Sequence, residues 1–115
     1  MSSGADLERE ILNGIYERLL KNFLDVLILA ELRRNEDASG YDVMEYVHDE
    51  FNFLISSGTI YSLIYSMERD GLVKGQKINR KRTYTLTDKG EETIKVIQNS
   101  YRRIQNFMAK LLQAK

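Results

Sequence analysis

Residues 56–90 constrain the fold of this chain most, because they join a short helix directly to a hairpin. Apolar side chains recur at helical spacing in the first half of the segment, at Ile60, Leu63, Ile64 and Met67. Gly71 follows the last of them and is a typical helix-ending residue. Two strand-like runs, 73–78 and 82–87, then flank a polar turn. The segment therefore predicts a helix packed against a small β-hairpin.

The formal net charge is zero, but the two halves of the chain carry opposite charges. Residues 1–70 hold 6 Lys and Arg against 14 Asp and Glu, a balance of −8, whereas residues 71–115 hold 11 against 3, a balance of +8. A basic half of this kind is typical of a chain that binds a polyanion. The alternative is that the two halves simply attract each other.

The length of 115 residues and the composition indicate one domain that needs no disulfide or metal to fold. Cysteine is absent from the sequence, which excludes disulfides and thiolate chemistry. The longest apolar run, 26–30, is too short to cross a membrane, and the first ten residues lack the apolar core of a signal peptide. We therefore expect a cytoplasmic protein with no membrane partner.

No catalytic or cofactor-binding motif is evident in the sequence. It contains no phosphate-binding glycine loop, no nucleophile elbow and no pair of histidines at zinc-ligand spacing. His48 is the only histidine, and the adjacent Asp49 and Glu50 would point in other directions on a helix. We expect no enzyme activity, no cofactor and no metal site.

Three helices are predicted before the central segment. Residues 1–21 form an N-terminal segment with an amphipathic helix at 6–20, which we interpret as an extra packing or dimerisation element. A second helix, capped by Asn22 and reaching Arg34, is apolar on most sides and should be buried. A third helix at 40–51 begins with a capping box formed by Ser39 and Asp42. The inner side of this third helix is predicted to carry Tyr41, Met44, Val47 and Phe51.

A single long helix is predicted after the hairpin, with Thr87 as its N-cap. Its apolar residues follow the three-and-four spacing of a coiled-coil seam, at Ile94, Ile97, Tyr101, Ile104, Met108 and Leu111. The flanking positions lack the charged pairs of an isolated zipper, so the seam should pack against the helices of a second subunit. Residues 90–115 are therefore predicted to form a dimerisation segment. Its aromatic and methionine side chains could also line a site for a small-molecule effector, although such a stripe is more often core.

The helix and the hairpin of the central segment both carry groups suited to duplex DNA. The outward face of the helix is small and polar, which allows a close approach to base edges, and we assign the base contacts to Ser57, Thr59, Tyr61, Ser62 and Tyr65. Five cations and no acid lie within residues 74–82, and we assign the phosphate contacts to Lys77, Arg80, Lys81 and Arg82. The alternatives are an ordinary amphipathic helix and a solvated hairpin whose cations prevent edge aggregation.

From about residue 23 to the C-terminus the chain resembles the PadR family of winged-helix transcriptional regulators. Gly40-Tyr41 matches the opening of that family's second helix, and Gly58-Thr59-Ile60-Tyr61 matches the start of its recognition helix. The close of the recognition helix, Glu-x-x-Gly-Leu, is present at 68–72, and the wing closes on Tyr-x-Leu-Thr-x-x-Gly at 84–90. The resemblance implies a homodimer, held by the last helix and the N-terminal helices, that binds double-stranded DNA and usually represses transcription.

Several positions depart from the family pattern. Ser62 replaces a usual proline, Ser66 a common arginine, Ser39 a frequent histidine and Asn79 a frequent wing-tip glycine. These changes bear on base specificity more than on fold. Some family members bind flat aromatic drugs between tryptophans, but this chain has no tryptophan, so that binding mode is not carried over.

The predicted fold is mostly α with a small β-hairpin wing: a winged helix-turn-helix at 22–89 between an extra N-terminal helix and a long C-terminal dimerisation helix. The predicted function is a sequence-specific DNA-binding regulator of PadR type, a homodimeric repressor associated with the nucleoid. Two alternatives stay open. One is a winged helix that serves as a protein-interaction module, and the other is a sequence-independent, chromatin-type DNA binder.

Overall fold

The computed structural model describes residues 3–113, which contain six helices and one antiparallel hairpin. In chain order the elements are α1 (Gly4–Asn22), α2 (Leu24–Arg34), α3 (Gly40–Phe51), α4 (Ser57–Arg69), β1 (Val73–Ile78), β2 (Lys81–Leu86), α5 (Asp88–Asn99) and α6 (Tyr101–Leu112). The predicted mostly helical fold with one hairpin is confirmed. Residues 1–2 and 114–115, at the ends of the two predicted flanking segments, lie outside the described residues. Within the described range, no helix is both long enough and apolar enough to cross a membrane.

The core forms around α2, which the other elements of the winged helix enclose. This helix contributes Leu24, Ile28, Leu29 and Leu32, each at most 2% exposed. Further buried apolar side chains come from α3, α4, the hairpin and α5: Val43, Val47, Ile60, Ile64, Met67, Val73, Tyr84 and Ile94. The predicted burial of the second helix and of the apolar side of α4 is therefore confirmed.

Polar side chains fix where α3, α4 and α5 begin. Ser39 Oγ accepts a hydrogen bond from the Asp42 N–H at 3.1 Å, and the Asp42 carboxylate accepts one from the Ser39 N–H at 2.9 Å, so the predicted capping box is confirmed. Ser56 caps α4 through the Thr59 N–H, and Thr87 caps α5 as predicted. Each cap satisfies an N–H group that the helix itself leaves unpaired.

Gly71 ends α4 and turns the chain into β1. Its φ is +76°, a left-handed conformation that glycine adopts without steric cost. The Leu72 N–H bonds to the Met67 carbonyl at 2.9 Å and the Gly71 N–H bonds to the Glu68 carbonyl at 3.1 Å, which together form a Schellman motif. The predicted stop at Gly71 is confirmed.

The boundary between the first two helices differs from the prediction. Helix α1 extends to Asn22 and α2 begins at Leu24, so Asn22 is the last residue of one helix and not the cap of the next. Phe23 occupies the cap position without a side-chain hydrogen bond. Backbone hydrogen bonding passes almost uninterrupted through the junction, because the Phe23 N–H bonds to Leu19 and the Phe23 carbonyl accepts from Leu27.

The inner side of α3 is rotated from the predicted one. Val43 and Val47 are buried, whereas Tyr41 and Phe51 are 61% and 46% exposed. The buried stripe includes Gly40, because α3 turns this small residue towards α4. The prediction that Tyr41 and Phe51 face the core is therefore wrong, and that for Val47 is confirmed.

The predicted single C-terminal helix is divided at Ser100 into α5 and α6. Ser100 has φ −98° and ψ 13°, yet its N–H still bonds to the carbonyls of Val96 and Ile97. The two helices therefore meet at a bend and not at a loop. Ile94 has no exposed surface in the chain, so its assignment to the dimerisation seam is corrected: it belongs to the core.

The hairpin turns tightly through Asn79 and Arg80. Both residues have positive φ, 50° and 67°, as a type I′ turn requires, and the register places Ile78 opposite Lys81. Strand β2 thus begins and ends one residue earlier than predicted, which leaves Thr87 free to cap α5.

Gly90 provides a test of how closely α5 approaches the end of α4. A Cβ built at Gly90 would lie 2.0 Å from the Leu72 carbonyl oxygen, a backbone atom that cannot swing aside. We predict that Gly90→Ala lowers the free energy of unfolding by roughly 2 kcal/mol, measured by urea denaturation.

Gly58→Ala is the matched control for this substitution, because Gly58 also lies in the first turn of a helix. No atom lies within 4 Å of a Cβ at Gly58, so alanine should leave the stability unchanged or raise it. Equal stability of the two variants would contradict the close contact at Gly90.

Candidate nucleic-acid interface

Helix α4 presents a polar face on the outside of the winged helix. Of the five residues assigned to base contacts, four are exposed (Ser57, Thr59, Ser62 and Tyr65) and Tyr61 is half-buried. The hydroxyl of Thr59 lies 2.9 Å from that of Ser56, so it is shared with the helix cap. The structure therefore brings the five residues together on one helix, while Thr59 and Tyr61 also make contacts within the chain.

The Tyr61 ring packs over the start of α3. A Cβ at Gly40 would lie only 2.5 Å from the Tyr61 ring, so glycine is needed here to leave room for it. Tyr65 lies one turn further along α4, with its ring centroid 6.2 Å from that of Tyr61. Gly40 and Tyr61 belong to separate sequence motifs, but they form one contact that fixes α4 against α3.

An open groove of about 790 Å³ runs between α4 and the junction of α1 with α2. Its polar lining consists of two cations and four hydroxyls, from Lys21, Arg69, Ser56, Thr59, Ser62 and Ser66. Lys21 forms an exposed ion pair with Glu17 at 2.8 Å. The sequence-based assignments do not include Lys21, since nothing in the local pattern shows that the end of α1 lies beside α4.

The far end of the hairpin carries three exposed cations, Lys77, Arg80 and Lys81. The Lys81 Nζ lies 3.5 Å from the Asp42 carboxylate at the start of α3, and an exposed pair at this distance contributes little to stability. Within residues 3–113, Lys77 and Arg80 form no ion pair. All three side chains are therefore available to an incoming anion.

Arg82 is held differently from the other cations of the wing. Its Nη2 lies 3.0 and 3.3 Å from the two carboxylate oxygens of Glu68 in the last turn of α4, and its Nε donates to the Tyr84 hydroxyl at 3.2 Å. These contacts raise the pKa of Arg82, with the Tyr84 hydroxyl the larger cause and Glu68 the next. Arg82, assigned from the sequence to a phosphate contact, is paired within the chain.

The base of the wing is fixed to both neighbouring helices. The Thr87 hydroxyl donates to the Gly71 carbonyl at 2.5 Å and accepts from the Gly90 N–H at 3.1 Å. On the other side of β2, the Tyr84 N–H donates to the Ala38 carbonyl at 2.9 Å. The residues of the Tyr-x-Leu-Thr-x-x-Gly motif are thus structural: they set the position of the hairpin.

The described residues provide no evident site for a metal. Among residues 3–113, no group of three or more His, Cys, Asp or Glu side chains lies close enough together to hold an ion. The outer face of α4 carries a row of hydroxyl groups, and the wing tip beside it carries cations.

The capping carboxylate of Asp42 gives a pH-dependent prediction. The hydrogen bond from the Ser39 N–H is the main reason that the pKa of Asp42 is lowered, and Lys81 adds to it. A carboxyl with a lowered folded pKa stabilises the fold above its unfolded pKa of about 3.9, and this contribution is lost as the pH falls through the folded pKa. We predict that Asp42→Asn lowers the free energy of unfolding by about 1 kcal/mol at pH 7 and by less at about pH 3, measured in urea.

Asp49→Asn is the control for Asp42→Asn, since Asp49 is exposed on the same helix. It should not lower the stability at neutral pH. A loss from Asp42→Asn of the same size at both pH values would contradict the role of the ionised carboxylate.

The family model described as the transcriptional regulator PadR-like family matches residues 28–96, which is more than half of the chain. The match begins within α2 and extends through α3, α4 and the hairpin into α5. A search of curated proteins gave no significant match.

Several solved structures resemble the chain over most of its length. A PadR family transcription regulator from Clostridium difficile shares 26% identity over 78% of this chain and 98% of its own, with a TM-score of 0.70. A PadR-like transcriptional regulator from Bacillus cereus shares 25% identity over 85% and 99%, with a TM-score of 0.69. A PadR family transcriptional regulator from Eggerthella lenta, at 24% identity over 95% and 98%, has a TM-score of 0.75 and supports the fold. The chain therefore belongs to the PadR-like family of transcriptional regulators.

Proposed function

We propose that this PadR-like regulator is a homodimeric repressor that binds specific duplex DNA, with α4 in the major groove and the hairpin along the phosphates. The observation that supports this most is the position of the polar face of α4 beside a hairpin whose tip carries Lys77, Arg80 and Lys81. Repression is proposed on the family resemblance. Such a protein would be found with the nucleoid.

Affinity and specificity would come from different elements. The proposed base contacts are uncharged: Ser57, Thr59, Tyr61, Ser62 and Tyr65. Hydroxyls discriminate between bases less sharply than the two-pronged contact of arginine with guanine. Because α4 has one cation, Arg69, in its last turn, the wing cations would supply most of the affinity by releasing counterions. DNA shape would supply part of the specificity.

Two amphipathic helices leave their apolar sides uncovered in the single chain. On α6 the exposed side chains are Tyr101, Ile104, Phe107, Leu111 and Leu112, at 44–69%. On α1 they are Leu7, Ile11, Leu12 and Tyr16, at 40–57%. Apolar stripes of this extent are uncommon on a monomer, and a second copy of the chain would cover them symmetrically.

We place the dimer contact on the part of the predicted seam that the subunit leaves accessible. Its residues are the half-buried Ile97 and Met108 and the exposed Tyr101, Ile104 and Leu111, and the apolar side of α1 would form a second part of the contact. Tyr101, Phe107 and Met108 lie on the same helix as this contact, and their side chains could line a site for a small-molecule effector there.

Selection from a pool of random-sequence duplexes separates the proposed function from its alternatives. We expect enrichment of a two-fold symmetric motif whose half-sites lie roughly one helical turn, about 10 bp, apart or a multiple of it. Retention of duplex without enrichment would favour a sequence-independent binder. No retention even at low salt would favour a protein-interaction module and would contradict the proposal.

Arg80→Gly separates DNA contact from folding. Arg80 lies in the left-handed region, so glycine should keep or raise the free energy of unfolding. Each lost phosphate contact flattens the slope of log K against log salt by about 0.9, so a dimer that loses two should be flatter by roughly 2. Lys95→Ala, an exposed cation on α5, is the control and should not change the slope. An unchanged slope for Arg80→Gly would exclude Arg80 as a contact.

Ile104→Glu tests the dimer contact. Ile104 is 44% exposed in the single chain, so a glutamate there should leave the subunit folded but place a charge in the apolar contact. We predict a folded monomer by circular dichroism and light scattering. Asn106→Glu introduces the same charge on the polar side of α6 and should remain dimeric. A dimeric Ile104→Glu variant would remove α6 from the contact.

A further inference from the structure

The carboxylate of Glu68 touches both strands of the hairpin. It accepts hydrogen bonds from Arg82 of β2 at 3.0 and 3.3 Å, and from the Gly75 N–H of β1 at 3.3 Å. Glu68 lies in the last turn of α4, so a side chain of the reading helix fixes the wing directly. The angle between the two elements therefore depends on this carboxylate as well as on the backbone turn at Gly71.

The ion pair with Glu68 also compensates the charge of Arg82, so the wing has one cation fewer to attract DNA. The side chains of Glu68 and Arg82 are 28% and 48% exposed. The Nη2 group is held by Glu68 and Nε by the Tyr84 hydroxyl, so a two-pronged contact with a phosphate, which uses Nη2, would require the Arg82 guanidinium to leave Glu68. A partly buried carboxylate would then be left without its charged partner, which costs free energy. Lys77 and Arg80 face no comparable cost.

We propose that Glu68 is a positioning residue that sets the wing against α4 and limits sequence-independent DNA binding, and that Arg82 is its structural partner and makes no phosphate contact. The inference rests on the proposed DNA-binding function and assigns it a residue that determines specificity. With the wing fixed, the tip cations reach the phosphates best when α4 is seated in the groove. Because Arg82 is paired with Glu68, one cation in each subunit does not contribute to sequence-independent binding of phosphates.

Three variants test these roles on two probes, a random-sequence duplex of about three helical turns and the duplex enriched by selection. Glu68→Gln keeps an oxygen that can accept from Gly75 and Arg82 but removes the negative charge. Arg82→Ala removes the cation, and Arg80→Gly serves as the reference for the loss of a true contact. Affinities are measured over a range of salt, and circular dichroism confirms that each variant is folded.

For Arg82→Ala we expect the salt slope on the random duplex to match that of the wild type. For Glu68→Gln we expect the slope to steepen by up to about 2 per dimer, because two guanidinium groups are released. The affinity of this variant for the random duplex should rise more than its affinity for the enriched duplex. The ratio of the affinity for the enriched duplex to that for the random duplex should therefore fall several-fold.

Two results would overturn the proposal. One is a salt slope that flattens in Arg82→Ala as much as in Arg80→Gly, and the other is a Glu68→Gln variant whose salt slope and enriched-to-random affinity ratio equal those of the wild type. If the wild-type protein binds neither duplex, both the proposed function and this inference are contradicted.

Amide exchange gives a second readout that needs no DNA. In Glu68→Ala the Gly75 N–H loses its acceptor, so its exchange should become at least about tenfold faster, whereas the Leu72 N–H, bonded to Met67, should be unaffected. An unchanged Gly75 rate in the folded variant would show that Glu68 does not hold β1.

Discussion

The hydrogen bonds at the end of α4 fix the reading helix, the wing and α5 relative to one another, and the proposed use of DNA depends on that geometry. Gly71 closes the helix with a left-handed turn, and its carbonyl then accepts the Thr87 hydroxyl. Thr87 in turn caps α5, which approaches so closely at Gly90 that a side chain there would meet the backbone. Glu68 adds a side-chain link to both strands. Small residues and short polar side chains allow this density of contacts.

The division of charge within the molecule follows from the same arrangement. The side of α4 opposite the core carries hydroxyls and one cation, so it can approach base edges but attracts phosphate weakly. The cations lie instead on the wing, where the turn at Asn79 and Arg80 presents them at the end of a rigid hairpin. The pairing of Arg82 with Glu68 compensates the charge of one of the wing cations. On the proposed function, the wing tip would therefore attract the phosphates and α4 would discriminate between bases.

Sequence patterns predicted the elements whose signals are local. The capping box of Ser39 and Asp42, the stop at Gly71 and the cap at Thr87 each depend on residues within a few positions, and all three are confirmed. The spacing of Ile60, Ile64 and Met67 likewise predicts which face of α4 points outward. The PadR resemblance added the order of the motifs, and the family match covers the same region.

Other features depend on contacts between distant residues, which spacing alone does not report. The apolar period from Ile94 to Leu111 is regular, yet Ile94 is buried in the core of the chain and Leu111 is 60% exposed, because the bend at Ser100 carries α6 away from the core. The close fit of α3 against α4 involves Gly40 and the Tyr61 ring, which are 21 positions apart. The pairing of Arg82 depends on Glu68, 14 positions away. The cluster of charges in the sequence assigns Arg82 to a phosphate contact, like Arg80 and Lys81. The ion pair with Glu68 becomes visible only in the folded chain.

The measurement that tests the central claim most directly is the salt dependence of wild-type binding to duplex DNA. If the wing tips of a dimer hold the phosphates through Lys77, Arg80 and Lys81 of each subunit, six contacts should give a slope of log K against log salt near −5. A slope close to zero, or no binding at low salt, would contradict the account, because the wing would then not be holding DNA.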